Sequence, residues 1–237
     1  MKFQAILLTL LAASVLAGQT IPNDPSFWRD PAFVAQFMGT YKVRSQVEPT
    51  ITEEEGQLFQ QVAQSAQRSP QSAINLLRSA ITPESSAALD YTLGNLSLQS
   101  GDQTGAVRAY QQALEKFPQF MRAHQNLGLV YVQQSNYAEA LPHLIEALDL
   151  GAHNDTVYGL IGLCHVNEGR YLAALRAYEN ALMLNATSRD WREGRMAALV
   201  NLGDQEEARA AIDELLNENA AQARLWKLRA NTFLASS

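Results

Sequence analysis

A single cysteine, Cys164, serves a chain of 237 residues, so no internal disulfide can brace the fold and packing must hold it unaided. Cys164 lies inside the apolar run YGLIGLCHV, the setting of a buried, unreactive thiol. Clustered basic residues are missing too. The formal charge is −6, and without grouped Lys and Arg there is no footprint for nucleic-acid phosphates. The histidines, His124, His143, His153 and His165, show no His-x-x-x-His spacing. Adjacent Cys164 and His165 on a helix would point about 100° apart, not at one metal. There is no Gly-x-Ser-x-Gly elbow, no phosphate-cradling glycine loop and no carboxylate pair that could be placed as a glycosidase site. These gaps lead to the expectation of a non-enzyme with no cofactor and no metal. The acidic triplet Glu53 to Glu55 is most simply the first turn of a helix, where the helix dipole favours negative charge.

The chain opens with an apolar run, Phe3 to Leu16, behind Lys2, and Val15 and Ala17 are small enough for a cleavage site. Residues 1–17 therefore read as a signal peptide, too short for a span of about 20 residues. The expected mature chain is periplasmic or otherwise extracytoplasmic and meets the membrane only through that signal. Residues 18–51 read as an N-terminal extension. Asp24-Pro25 and Asp30-Pro31 each offer a helix start and Gly39 a stop. The two short helices would carry Phe27, Trp28, Phe33, Phe37, Met38 and Tyr41, either docked on the adjoining repeats or offered to a partner.

From residue 52 onward the sequence repeats. Leu93-Gly94 recurs as Leu127-Gly128 and as Ile161-Gly162, a period of 34 residues. The same offset joins Ala106, Ala140, Ala174 and Ala208, and Ala113, Ala147 and Ala181. It also joins Gly101, Ser135, Gly169 and Gly203, each at a short polar pivot. Between pivots the apolar residues keep helical spacing, as in Tyr137, Ala140, Leu141, Leu144, Ile145 and Leu148. Each unit is thus two amphipathic helices, and a short pivot makes them antiparallel neighbours.

The units resemble tetratricopeptide repeats, whose pattern runs through Leu-Gly, Tyr, Ala, an aromatic, Ala and a closing Pro over about 34 residues. Leu93, Gly94, Ala106, Tyr110, Ala113 and Pro118 stand in those places. The resemblance sets repeat boundaries at 87–120, 121–154 and 155–188. It sets a degenerate repeat at 52–86, whose helices start at the capping box of Thr52 and Glu55 and at Ser69-Pro70. A divergent repeat occupies 189–222, where Arg195 and Met196 replace Leu-Gly, and a capping helix 223–237, with Leu225, Trp226 and Phe233 inward. The resemblance implies an all-α, right-handed superhelical solenoid of antiparallel helix pairs, with about four to five units.

It also implies that the first helices line a concave groove. The lining would be Tyr91, Asn95, Leu98 and Gln99 in one unit. Arg122, Gln125, Leu129, Val132 and Gln133 would line it in the next, then Leu163, Val166 and Asn167. Some of these apolar residues would equally serve to pack one unit against the next. Some family members capture a C-terminal carboxylate with Lys and Asn, but Tyr91 stands where a Lys would be, which argues against that mode here. The expected function is a non-catalytic scaffold or adaptor holding a peptide segment of a cell-envelope partner. The alternatives are a structural, self-associating envelope protein, and a regulatory subunit of an envelope transport or secretion complex.

Overall fold

The computed structural model describes residues 47–218 and 223–234. The signal peptide and the aromatic helices of the N-terminal extension lie outside the described residues, as do the side chains of Arg224 and Phe233. Among the described residues there are eleven α-helices and no strand. In chain order they are α1 (Glu53–Arg68), α2 (Pro70–Ala80), α3 (Ala87–Gln99), α4 (Gln103–Lys116), α5 (Met121–Gln133) and α6 (Tyr137–Asp149). Then come α7 (Asp155–Asn167), α8 (Tyr171–Leu184), α9 (Arg189–Leu202), α10 (Gln205–Glu218) and α11 (Ala223–Leu234). None is long and apolar enough to cross a membrane.

Short polar side chains start most of these helices by accepting from the free N–H groups of the first turn. Thr52 and Glu55 form both halves of a capping box on α1. Ser69 caps α2, with Pro70 in its first turn. Asp102, Asn154 and Ser188 accept from Gly105, Val157 and Trp191 at the starts of α4, α7 and α9. The pivots end the preceding helices in a left-handed turn. Gly101, Ser135, Gly169 and Gly203 have φ of 83°, 60°, 73° and 79°. Three of the four are glycines because a Cβ is disfavoured in that region; Ser135 takes the same turn against its preference.

The chain forms two compact units. Among the described residues, one takes in 47–135 and 142–152, the other 136–141 and 153–234. In the first, α1 to α5 pack each against the next. Its core contains Leu77, Leu89, Leu96, Tyr110, Phe120 and Leu127, all under 2% exposed. Helix α3 is buried from Ala87 through Ser97, as an inner helix covered on several sides must be. In the second unit α7 to α11 pack in sequence and α7 also touches α9. Tyr178, Leu199, Ile212 and Leu215 are buried there.

Close approach of helices is set by glycine against an aromatic ring. A Cβ on Gly94 would lie 2.5 Å from the ring of Tyr110, and one on Gly162 would lie 2.9 Å from that of Tyr178. The divergent repeat uses a glycine between hairpins instead. Met196, standing where the pattern has its glycine, is buried in the core, and Gly194, two residues earlier, lies under Tyr178. Trp191 covers Gly159 in the same manner and donates from Nε1 to Asp155 at 3.1 Å. The expectation for the last helix holds in one position and fails in another. Leu225 is fully buried, but Trp226 is 49% exposed, with the Arg229 guanidinium 5.8 Å from its ring. A side chain one residue along a helix is turned about 100° away, so the helix face that buries Leu225 carries Trp226 outward.

Candidate functional site

The predicted lining residues separate by their surroundings. Val132, Leu163 and Val166 are buried, so their surface is used in packing. Leu98 packs at the edge of the core. The amides of Gln133 and Asn167 are engaged, the first accepting from Gln103 at 3.3 Å and the second donating to the Leu163 carbonyl at 2.8 Å. Gln99, Gln125 and Leu129 are half-buried. Tyr91, Asn95 and Arg122 form a connected polar cluster between α3 and α5, in the first unit.

That cluster is built on amides. Asn126 donates from Nδ2 to the Tyr91 hydroxyl at 3.1 Å and to Asn95 Oδ1 at 2.9 Å. Tyr110 donates to the same Asn95 oxygen at 2.7 Å. Tyr91 and Asn95 are each only 6% exposed, and a buried amide is tolerable because its bonds are made. Burial raises the Tyr91 hydroxyl above its ordinary range, Arg122 pulling the other way. Apart from Arg122, the cluster is an uncharged floor of bonded amides and hydroxyls.

Over that floor lies a short non-helical piece of the chain itself, Val47 to Thr50. Glu48 is fully buried. Its carboxylate receives Arg122 Nε at 2.9 Å and Nη2 at 2.7 Å, the paired geometry that suits guanidinium and carboxylate. The guanidinium carbon sits 5.2 Å from the Tyr91 ring centre and 5.7 Å from that of Phe120, a cation–π arrangement. The main chain is engaged too. Helix α5 has no side-chain cap at its start, and the Met121 N–H donates instead to the Val47 carbonyl at 3.2 Å. At the start of α3 the Ser86 hydroxyl donates to the Thr50 carbonyl at 2.7 Å. Arg122 was legible as a lining residue, and Asn126 as an asparagine at one of the family's carboxylate-holding places; Glu48 and Phe120 were not. An acidic residue next to a proline was the only sign of Glu48, and nothing local ties it to a cation 74 residues away.

Other reactive groups are muted. The Cys164 thiol is pushed up to about 12 by burial, with Glu168 adding to it, so it is not a nucleophile near neutral pH. No group of three or more metal-ligating side chains occurs among the described residues. His124 Nε2 donates to the Pro118 carbonyl at 2.9 Å, and its Nδ1 lies 3.0 Å from His143 Nδ1. Tyr131 stacks on His143 with centroids 5.8 Å apart. Burial, and then the neighbouring His124, lowers His143 from 6.5 to about 4. The unfolded chain therefore takes up this proton at a higher pH than the native one. The contribution of His143 to stability should be complete above about pH 6.5 and fall away as pH drops toward 4. Melting temperature tracked across that window should decline, and His143→Gln should flatten that part of the decline.

Family models described as tetratricopeptide repeat match residues 91–155 and 125–190, and a second model of the same description matches 165–232. Together they span more than half of the chain. Solved structures share the fold. A MamA structure, designated AMB-1, is 22% identical with a TM-score of 0.60, covering 69% of this chain and 91% of its own. YrrB, a TPR protein with an unusual peptide-binding site, is 23% identical with a TM-score of 0.60, covering 63% and 77%. A tetratricopeptide repeat protein from Parabacteroides merdae has a TM-score of 0.64 at 19% identity, covering 78% and 74%. Among curated proteins, Superkiller protein 3 of Schizosaccharomyces pombe is 26% identical over 105 residues, which is 44% of this chain and 7% of that one. The chain thus spans a small fraction of that relative's length. The 34-residue period, the helix pairs and these matches agree: the chain belongs to the tetratricopeptide-repeat family and has its all-α solenoid fold.

Proposed function

We propose that the chain is a non-catalytic interaction module that holds a peptide segment of a protein partner on the face formed by α3 and α5, within the cell envelope. The observation that carries this reading is the seating of Val47 to Thr50. That face grips non-helical main chain at two helix starts and a side chain at Arg122, and main-chain bonds with a side-chain pocket are how peptide grooves obtain affinity and specificity. The likeness to YrrB, a protein with a peptide-binding site, supports it. The envelope part rests on the apolar run behind Lys2. Half-buried Gln125 and Leu129 lie farther along α5 and would extend the contact beyond the segment already seated.

A photo-activated cross-linker at Gln125, in chain recovered from the periplasmic fraction of intact cells, tests this. A defined partner peptide should be captured, and Leu129→Glu should reduce the yield at least tenfold while leaving the melting temperature within a few degrees of wild type. A cross-link indifferent to Leu129→Glu would remove this face as the binding site.

A further inference from the structure

The burial of Glu48 says which chemistry the face reads. A carboxylate is costly to take out of water unless it is paired and fully bonded, yet Glu48 is 0% exposed and bonded to both Nε and Nη2 of Arg122. The guanidinium carbon also lies over the Tyr91 and Phe120 rings, and the amides beneath Tyr91 bond to one another and to Tyr91 and Tyr110. Arg122 thus has aromatic contacts that do not depend on Glu48. The residue before Glu48 gives its carbonyl to the uncapped start of α5. Pro49, the residue after, has no N–H to satisfy and is itself buried. The grip is made of a carbonyl acceptor, an acidic side chain and a proline on three consecutive residues, and any polypeptide can supply them.

We propose that this face is a carboxylate-reading peptide site which the chain fills with its own Val47 to Thr50, and that a non-helical partner segment bearing an acidic side chain enters by displacing it. The proposal rests on the peptide-binding reading above and adds to it the ligand's charge and an internal competitor. Because the competitor is tethered, its effective concentration is high, in the millimolar range for short flexible linkers. A free peptide of the same chemistry must therefore bind the intact chain weakly, and much more tightly once the competitor is disarmed.

The experiment uses the full chain and a fluorescein-labelled peptide of sequence QVEPTIT, matching residues 46–52, with binding read by anisotropy. Glu48→Gln is expected to bind the peptide at least tenfold more tightly than wild type. The peptide with Gln in place of Glu should show no such gain. Glu48→Gln combined with Arg122→Gln should lose it. Thermal melts monitor folding, and Glu48→Ala repeats the test with a side chain too short to reach Arg122. No gain in either Glu48 variant overturns the proposal, as does a gain that survives Arg122→Gln or the uncharged peptide. If the Gln125 cross-link depends on Leu129 while the Glu48 variants show no gain, the displacement idea falls and the peptide-binding reading stands. If the cross-link ignores Leu129 as well, both fall.

Discussion

Lys116→Met is expected to lower unfolding free energy by about 3–5 kcal/mol, the scale for breaking a buried ion pair by removing one partner. Lys116 ends α4 and its ammonium sits 2.6 Å from Asp90, which is 1% exposed. The same ammonium donates to the Thr82 carbonyl at 2.7 Å and to Ser85 Oγ at 3.1 Å. One cation therefore neutralises a buried carboxylate on α3 and pins the loop that leads into it. Methionine keeps the stem's packing and removes only the charge and the donors. Burial already pushes the Asp90 carboxyl above its ordinary 3.8, and Lys116 pulls it down. Without the lysine its native value rises further. A carboxyl raised in the native state contributes stability that is complete below its unfolded value and is lost as pH climbs through the native value. The variant's deficit should therefore be widest near neutral pH and shrink as pH falls toward 3.8. Urea midpoints of wild type and variant at several pH values would show it. Pairing the change with Asp90→Leu should recover most of the loss, since an apolar pair of similar volume replaces the ions.

Tyr110→Ala should cost a similar amount, about 3–5 kcal/mol, as large aromatic truncations in cores do. Tyr110 is completely buried, lies over Gly94, and donates to Asn95 at 2.7 Å. Tyr110→Phe isolates the hydroxyl and should cost about 1 kcal/mol, because Asn126 still donates to the Asn95 oxygen. The informative partner is Gly94→Ala. Its methyl meets the ring at 2.5 Å, so in wild type it should cost about 1–3 kcal/mol from overpacking. In the Tyr110→Ala background the space is empty and the penalty should vanish or reverse. That non-additivity, read from denaturant midpoints of the four chains, is the signature of direct contact. Additive losses would show that the ring and the glycine do not set each other's position.

What could be read without coordinates was what local rules govern. Thr52 with Glu55 and Ser69 with Pro70 act within three residues of one another, so short-range pattern suffices. The shared pivot offset of Gly101, Ser135, Gly169 and Gly203 pointed to one turn, and all four adopt it. The role of Gly194 was missed because its contact is with the preceding hairpin and the pattern describes one hairpin at a time. The within-hairpin place, Met196, shares its core cluster with Ile212, which stands where Tyr110 and Tyr178 stand in their repeats, and Gly194 instead makes room for Tyr178 of the preceding hairpin. For the candidate site, the family resemblance named Tyr91, Asn95 and Arg122 but not what became of them. Their polar atoms are taken by Asn126, Tyr110 and Glu48. A family's repeat places select a face of a helix; they carry no information about a partner brought in from a distant segment, as Glu48 is to Arg122.

Tyr178 has a consequence for how the second unit comes apart. Its ring lies over Gly162 of its own hairpin and Gly194 of the next one, with Trp191 stacked 6.4 Å away. In repeat arrays, stability divides into terms inside a repeat and terms between neighbours; here one side chain belongs to both. Fraying that begins at α11 and reaches α9 would uncover the ring, and the hairpin of α7 and α8 would loosen in the same event. Amide exchange in these three helices should then proceed as one cooperative step, not as a graded series from the end of the chain.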